Sequence, residues 1–293
     1  MKAKRRIEEI VCCVGKASEA LRNSARGGKR VSMVDVGADH GWVSYLAVAR
    51  GYVDKVICSD ISEKSLKKAQ CLFESDKELL KKAEFRVGNG LQVLDLPTES
   101  VDICVIAGMG GAEMLKIIGE RKCNAEGINI FILQLQHDEL FVRALKAYTG
   151  LSIAYDKVVL DGKHVYRTIV AYDFVNCTRQ NRYLCDKLKS VFDESAGASH
   201  SGLDIDFDIF GKNNLFDRSS GHVKALELLK ELSNKIYSSI TSGRKVASQD
   251  SDILEFLGAL KKRIEYLDKI LEYIQKESNT KNKENKSCRS KKS

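Results

Sequence analysis

The sequence predicts an α/β fold in which an open, mainly parallel sheet is closed by an antiparallel hairpin and followed by a C-terminal α-helical coiled-coil hairpin. Three observations lead there. Short apolar strands alternate with amphipathic helices from residue 31 to about 148, the rhythm of a doubly wound sheet. Two consecutive β-rich runs, Ile153 to Leu160 and His164 to Phe174, then meet at Asp161-Gly162, a favoured hairpin dipeptide. Beyond residue 216, apolar residues step by three and four.

The elements follow in order. Ile7, Ile10, Val11, Val14, Ala17 and Leu21 recur at helical spacing, so an amphipathic helix opens the chain and ends before Gly27-Gly28. Val31 to Val36 is short, apolar and closed by Gly37, which suits a central buried strand. The spacing then predicts a helix over 42–50, strand 55–60, helix 62–74, strands 84–88 and 101–107, helix 111–120, strand 128–134 and helix 137–148. Residues 176–215 lack a clear period and read as an irregular connector. Leu226, Leu229, Ser233, Ile236 and Ile240 form one heptad seam; Ile253, Leu257, Leu260, Ile264, Leu267, Leu271 and Ile274 form another. The Lys/Asn/Ser-rich tail 278–293 reads as disordered.

Charge sits at the ends. Residues 1–30 carry nine lysines and arginines against three glutamates, and residues 276–293 carry seven against two, which leaves the middle mildly acidic within a net charge of +8. Basic ends on an acidic middle suit a catalytic domain with polyanion-binding flanks, although solvated helix faces are equally Lys-rich. The nine cysteines are scattered without CxxC spacing, which favours reduced thiols and no structural metal. No apolar run reaches the roughly 20 residues that span a bilayer, so a cytoplasmic protein without membrane contact is expected.

Candidate site residues fall at successive strand ends, where ligands of open α/β sheets bind. After the first strand come Asp35 and Gly37, and Asp39 stands where a dinucleotide fingerprint would place its second glycine, next to His40. A carboxylate there would repel a pyrophosphate. After the second strand, Asp60 is placed to accept from both hydroxyls of a ribose, with Ile61 beside it, or else to cap the next helix. Asn89 and Gly90 could present an amide to an adenine ring, although Asn-Gly is also an ordinary turn. Ala107, Gly108, Met109, Gly110 and Gly111 are so poor in side chains that a ligand could lie against their backbone. Gln134 or Gln136 could read a base edge, and Trp42 or Tyr45 could stack on a base or pack in the core.

A parallel sheet ended by an antiparallel hairpin resembles the Rossmann-like fold of class I methyltransferases. More narrowly, Asp35-Val36-Gly37-Ala38-Asp39-His40, Gly88-Asn89-Gly90-Leu91 and Ile106-Ala107-Gly108-Met109-Gly110-Gly111 with Ile132-Leu133-Gln134 resemble the TrmK family, bacterial tRNA methyltransferases that modify N1 of adenine 22. The resemblance implies S-adenosyl-L-methionine as cofactor, tRNA as partner, Asp39 and His40 as the catalytic pair, and a coiled-coil domain that helps hold tRNA. Two departures stand out: Gln134-Leu135-Gln136 replaces the usual Gln-Pro-Asn, and Gly41-Trp42-Val43-Ser44 replaces Ala-Tyr-Leu-Pro. They leave open methylation at another RNA position, or an inactive tRNA-binding protein. The expected organisation is a cofactor-binding catalytic domain over 1–175, the connector over 176–215, a coiled-coil domain over 216–277 and the tail. A monomer is the working expectation, with a dimerising hairpin as the alternative.

Overall fold

The structure, a computed structural model, describes residues 4–24, 30–94, 99–124, 128–136, 141–173, 179–192, 219–242 and 251–290. Helix α1 (Arg5–Ser24) opens it and β1 (Ser32–Val36) follows. Next come α2 (Trp42–Ala49), β2 (Lys55–Asp60), α3 (Glu63–Glu74), the single turn α4 (Lys77–Leu80), β3 (Ala83–Val87) and β4 (Ile103–Ala107). Helix α5 (Gly111–Asn124), β5 (Ile130–Leu135) and α6 (Phe141–Thr149) lead to the hairpin of β6 (Ser152–Asp161) and β7 (His164–Tyr172). Helices α7 (Arg179–Phe192), α8 (Ser220–Ser242) and α9 (Ser251–Ser290) complete the chain.

The seven strands lie in the order β3-β2-β1-β4-β5-β7-β6, parallel through β5 and antiparallel across the last two pairings. Strands β1 and β4 are neighbours although two strands separate them in sequence, so the winding reverses between them. That reversal opens a crevice at their carboxyl ends. Alternation along each strand divides the core into two layers. Met33, Val56, Ile103, Val105 and Ile132 pack beneath α1, α2, α3 and α7, while Val34, Ile57, Cys104, Ile106 and Leu133 pack beneath α5 and α6. Asp102 locks β1 to β4, its Oδ2 accepting the Ser32 amide at 2.9 Å and the Ser32 hydroxyl at 3.1 Å. In the hairpin, Arg167 donates from Nε to Asp156 Oδ1 at 2.8 Å and approaches Oδ2 at 2.6 Å, a bidentate pair buried on both sides.

Two readings of the sequence need correction. The connector is not irregular throughout: α7 occupies 179–192, and its Cys185, Leu188 and Phe192 are buried against the layer that α1 covers. The rest of the connector, 176–178 and 193–215, lies outside the described residues. The tail is also not irregular as far as Ser290, because α9 continues through it. Its last residues, 291–293, and Gly27-Gly28 fall outside the described residues. In the helical pair, Leu226 and Leu229 of α8 meet Leu267, Ile270 and Ile274 of α9 together with Val158 and Val165 of the hairpin. Ile270 and the buried Arg263 replace the expected Ile264 and Leu271 at the most buried positions, a rotation of the seam that lets α8 cover the sheet edge as well as α9. Among the described residues no helix is long and apolar enough to cross a membrane.

Candidate functional site

The loop after β1 is pinned by its own backbone. The Gly37 and Ala38 amides both donate to the Ser59 carbonyl, at 2.8 and 2.9 Å, which draws the loop across the end of β2. Gly37 has φ +75°, and a Cβ there would lie 2.8 Å from Met109 Cε. Gly41 caps α2 at φ +67°, where a Cβ would lie 2.7 Å from the Cβ of Ala69 on α3. Between the two glycines His40 takes φ +64°, the one non-glycine residue with positive φ among those described. Such a conformation costs about 1–2 kcal/mol, and the Gly41 amide spans it by donating to the Ala38 carbonyl at 3.0 Å.

Three carboxylates answer to this geometry. Asp35, at 4% exposure, accepts the Ser44 hydroxyl at 2.6 Å; burial pushes its carboxyl up to about 6, partly offset by that hydrogen bond. Asp39 is open to solvent, with Lys68 Nζ 3.7 Å from Oδ1 and His40 Nε2 3.5 Å from Oδ2. Asp60 Oδ1 accepts the Ser62 amide at 2.8 Å, and Ser62 itself caps α3. Asp60 is therefore not that helix's cap. Its Oδ2 has no bond among the described residues, and Asp60 lines the crevice. The Gly88 amide returns to the Asp60 carbonyl at 3.0 Å, which brings Asn89 and Gly90 alongside.

These strand ends enclose one cavity of about 770 Å³, within the usual range for a small-molecule site. Asp35, Gly37, Asp39, His40, Trp42, Asp60, Ile61, Asn89, Gly90, Ala107, Gly108 and Met109 all line it. The other expected residues do not. Gly110 and Gly111 sit at the start of α5, where the Gly110 carbonyl accepts the Met114 amide. Gln134 is 1% exposed and cannot read a base edge, because its Nε2 donates to the Arg6 carbonyl at 3.0 Å and to Thr168 Oγ1 at 2.9 Å. Gln136 is exposed beyond the end of β5, away from the lining. Tyr45 packs edge-on to Phe73 in the core, at 5.4 Å between centroids, and leaves Trp42 as the aromatic ring of the cavity.

Sequence reasoning missed Lys4, Arg6 and Ile7 from the start of α1, Glu113 from α5, and Lys68 beside Asp39. Tertiary packing brings α1 to the crevice, and nothing local to residues 4–7 announces it. Lys68 was the more legible: it follows the Ser62 cap by six positions, on the helix that Gly41 must touch.

Comparison with known proteins gives this geometry a setting. A curated Mycoplasma genitalium protein, provisionally named as a tRNA methyltransferase, is 25% identical over 136 residues; the match spans 46% of this chain and 59% of that relative's length. The structure of M. capricolum TrmK with S-adenosyl-homocysteine superposes with a TM-score of 0.60 at 17% identity, over 90% of this chain and 97% of that one. The B. subtilis m1A22 tRNA methyltransferase TrmK gives a TM-score of 0.60 at 19% identity, over 92% and 99%. At such identities these superpositions establish a common fold. The methyltransferase-domain model matches residues 19–169, more than half of the chain and every strand of the sheet from β1 to most of β7. With that match laid over a cavity walled by those same strand ends, the chain belongs to the methyltransferase-domain family.

Proposed function

We propose that this chain is an enzyme that methylates N1 of adenine 22 in tRNA with S-adenosyl-L-methionine. The observation that carries the reading is the convergence of Asp35, Asp60 and the Gly37 turn on one cavity, in a fold shared with solved TrmK structures. The residues present fit the cofactor. Any side chain at position 37 would meet Met109, so bare backbone is kept where an adenosyl group must pass. Asp60 has one oxygen committed to Ser62 and a second left for ribose hydroxyls. Exposed Ile61 offers an apolar face to the adenine of the cofactor, and Asn89 flanks it.

When bound, the cofactor supplies an electrophilic methyl group. The chain's own task is alignment, because adenine N1 already carries an in-plane lone pair and needs little help from a base. Asp39 accepts from the amino group of the target adenine, fixes the ring, and stabilises the positive charge that develops on it. Lys68 and His40 hold the Asp39 carboxylate in place from two sides. N1 is engaged in a paired base, so the adenine is extruded, and Trp42 is placed to stack on it. Residues 1–175 act as the catalytic unit, and the pair α8–α9 helps hold tRNA.

Incubating the purified chain with unmodified tRNA transcript and methyl-labelled cofactor tests the reading. The expected product is 1-methyladenosine by nucleoside mass spectrometry, with a reverse-transcription stop at position 22. No transfer would overturn it. A stop elsewhere would favour a second reading, another RNA position, which the Leu135-Gln136 departure supports.

A further inference from the structure

The cavity is acidic where the strands end. Asp35, Asp39 and Asp60 line it, and Glu113 adds a fourth carboxylate from α5. Such a lining repels a phosphate backbone. Among the described residues its only lysine and arginine are Lys4 and Arg6, both at the start of α1.

Neither cation is fully buried by the fold. Lys4 is exposed and makes no ion pair among the described residues. Arg6 stands over the Tyr166 ring, 5.1 Å from its centroid, with Nε 4.0 Å from Asp161 Oδ2, too long for a hydrogen bond. Its side chain keeps 30% exposure. The turn that carries both is anchored from below, since buried Gln134 donates to the Arg6 carbonyl while also gripping Thr168. The Tyr166 ring and Asp161 restrain the guanidinium, and the Gln134 anchor holds the Arg6 main chain, before any ligand arrives, which lowers the ordering cost of binding.

We propose that Lys4 and Arg6 form a phosphate subsite for the RNA substrate, gripping the backbone beside the extruded adenine at the mouth of the cavity. Arg6 supplies a planar fork that matches two phosphate oxygens, and Lys4 a mobile point charge. This rests on the RNA reading above. It also gives Gln134 a role: the residue positions the grip through the main chain instead of reading a base.

Filter binding of unmodified tRNA transcript across a salt series, with calorimetry of S-adenosyl-homocysteine alongside, tests the subsite in the full-length chain. For Lys4→Gln/Arg6→Gln, tRNA affinity is expected to fall about tenfold and the log–log salt slope to flatten by roughly one unit for each phosphate no longer neutralised. Lys4→Gln alone, at an exposed position, should give about half of the slope change and guards against misfolding of the double variant. Affinity for S-adenosyl-homocysteine should hold. Unaltered tRNA binding in both variants overturns the subsite. So does a parallel loss of S-adenosyl-homocysteine affinity, which would assign the cations to the cofactor's carboxylate. If the unaltered chain binds no RNA, the functional reading fails first and takes the subsite with it.

Discussion

Asp35 and Asp39 sit four residues apart and answer to opposite environments. Asp39 is solvated and flanked by two nitrogens, so its replacement should disturb little but the chemistry. Asp39→Ala is expected to slow methyl transfer about 100-fold or more while S-adenosyl-homocysteine still binds by calorimetry. Unchanged turnover would remove the role given to Asp39. Asp35 is buried, and its carboxyl is raised from 3.8 to about 6. Between those values the unfolded chain has lost the proton that the folded chain keeps, so stability falls as pH rises from about 4 to 6 and stays lower above. The shift of about 2 units corresponds to about 3 kcal/mol. Asp35→Asn should therefore flatten the pH dependence of the melting temperature in that window and raise it at pH 7. A variant that melts with the same pH profile as the parent chain would show that the carboxyl ionises freely.

Strand ends were legible because a doubly wound chain returns to the same sheet edge after each helix, so Asp35, Asp60 and Asn89 could be gathered from order alone. Side chains that arrive from across the fold were not. Arg6 reaches the crevice through a helix that precedes every strand, and only the Gln134 bond to its carbonyl reveals why. Helix α7 escaped for a different reason. Cys185, Leu188 and Phe192 have helical spacing, but they stand among Arg, Lys, Asn and Asp in a segment barely longer than the window that periodicity needs. Its burial is nonetheless complete at Phe192, which also meets the Tyr155 ring at 5.4 Å. Phe192→Ala is expected to cost about 3–5 kcal/mol in denaturant unfolding. A loss near zero would mean that α7 lies on the core without contributing to it.

Across the whole molecule, the helical pair and the sheet share one apolar seam: Leu226 and Leu229 of α8 cover Val158 and Val165 of the hairpin. A chain ended at residue 215 would bare that strip and is expected to associate, seen as a rise in mass by light scattering. A stable monomer with an unchanged melting temperature would show the pair to be an independent appendage. The approach of Met109 to Gly37 reaches further, into how this sequence can evolve. Position 37 is guarded twice, by the Met109 methyl and by a backbone angle of +75°. Shortening residue 109 lifts only the first guard, and alanine at 37 would still bear about 1–2 kcal/mol of left-handed strain. The two sites are thus coupled: with Met109 in place its flexible side chain must move aside for a Cβ at 37, and with residue 109 shortened only the backbone cost remains. A double-mutant cycle on Met109→Ala and Gly37→Ala would read that dependence as one coupling energy, the same whichever substitution comes first, between positions far apart in sequence.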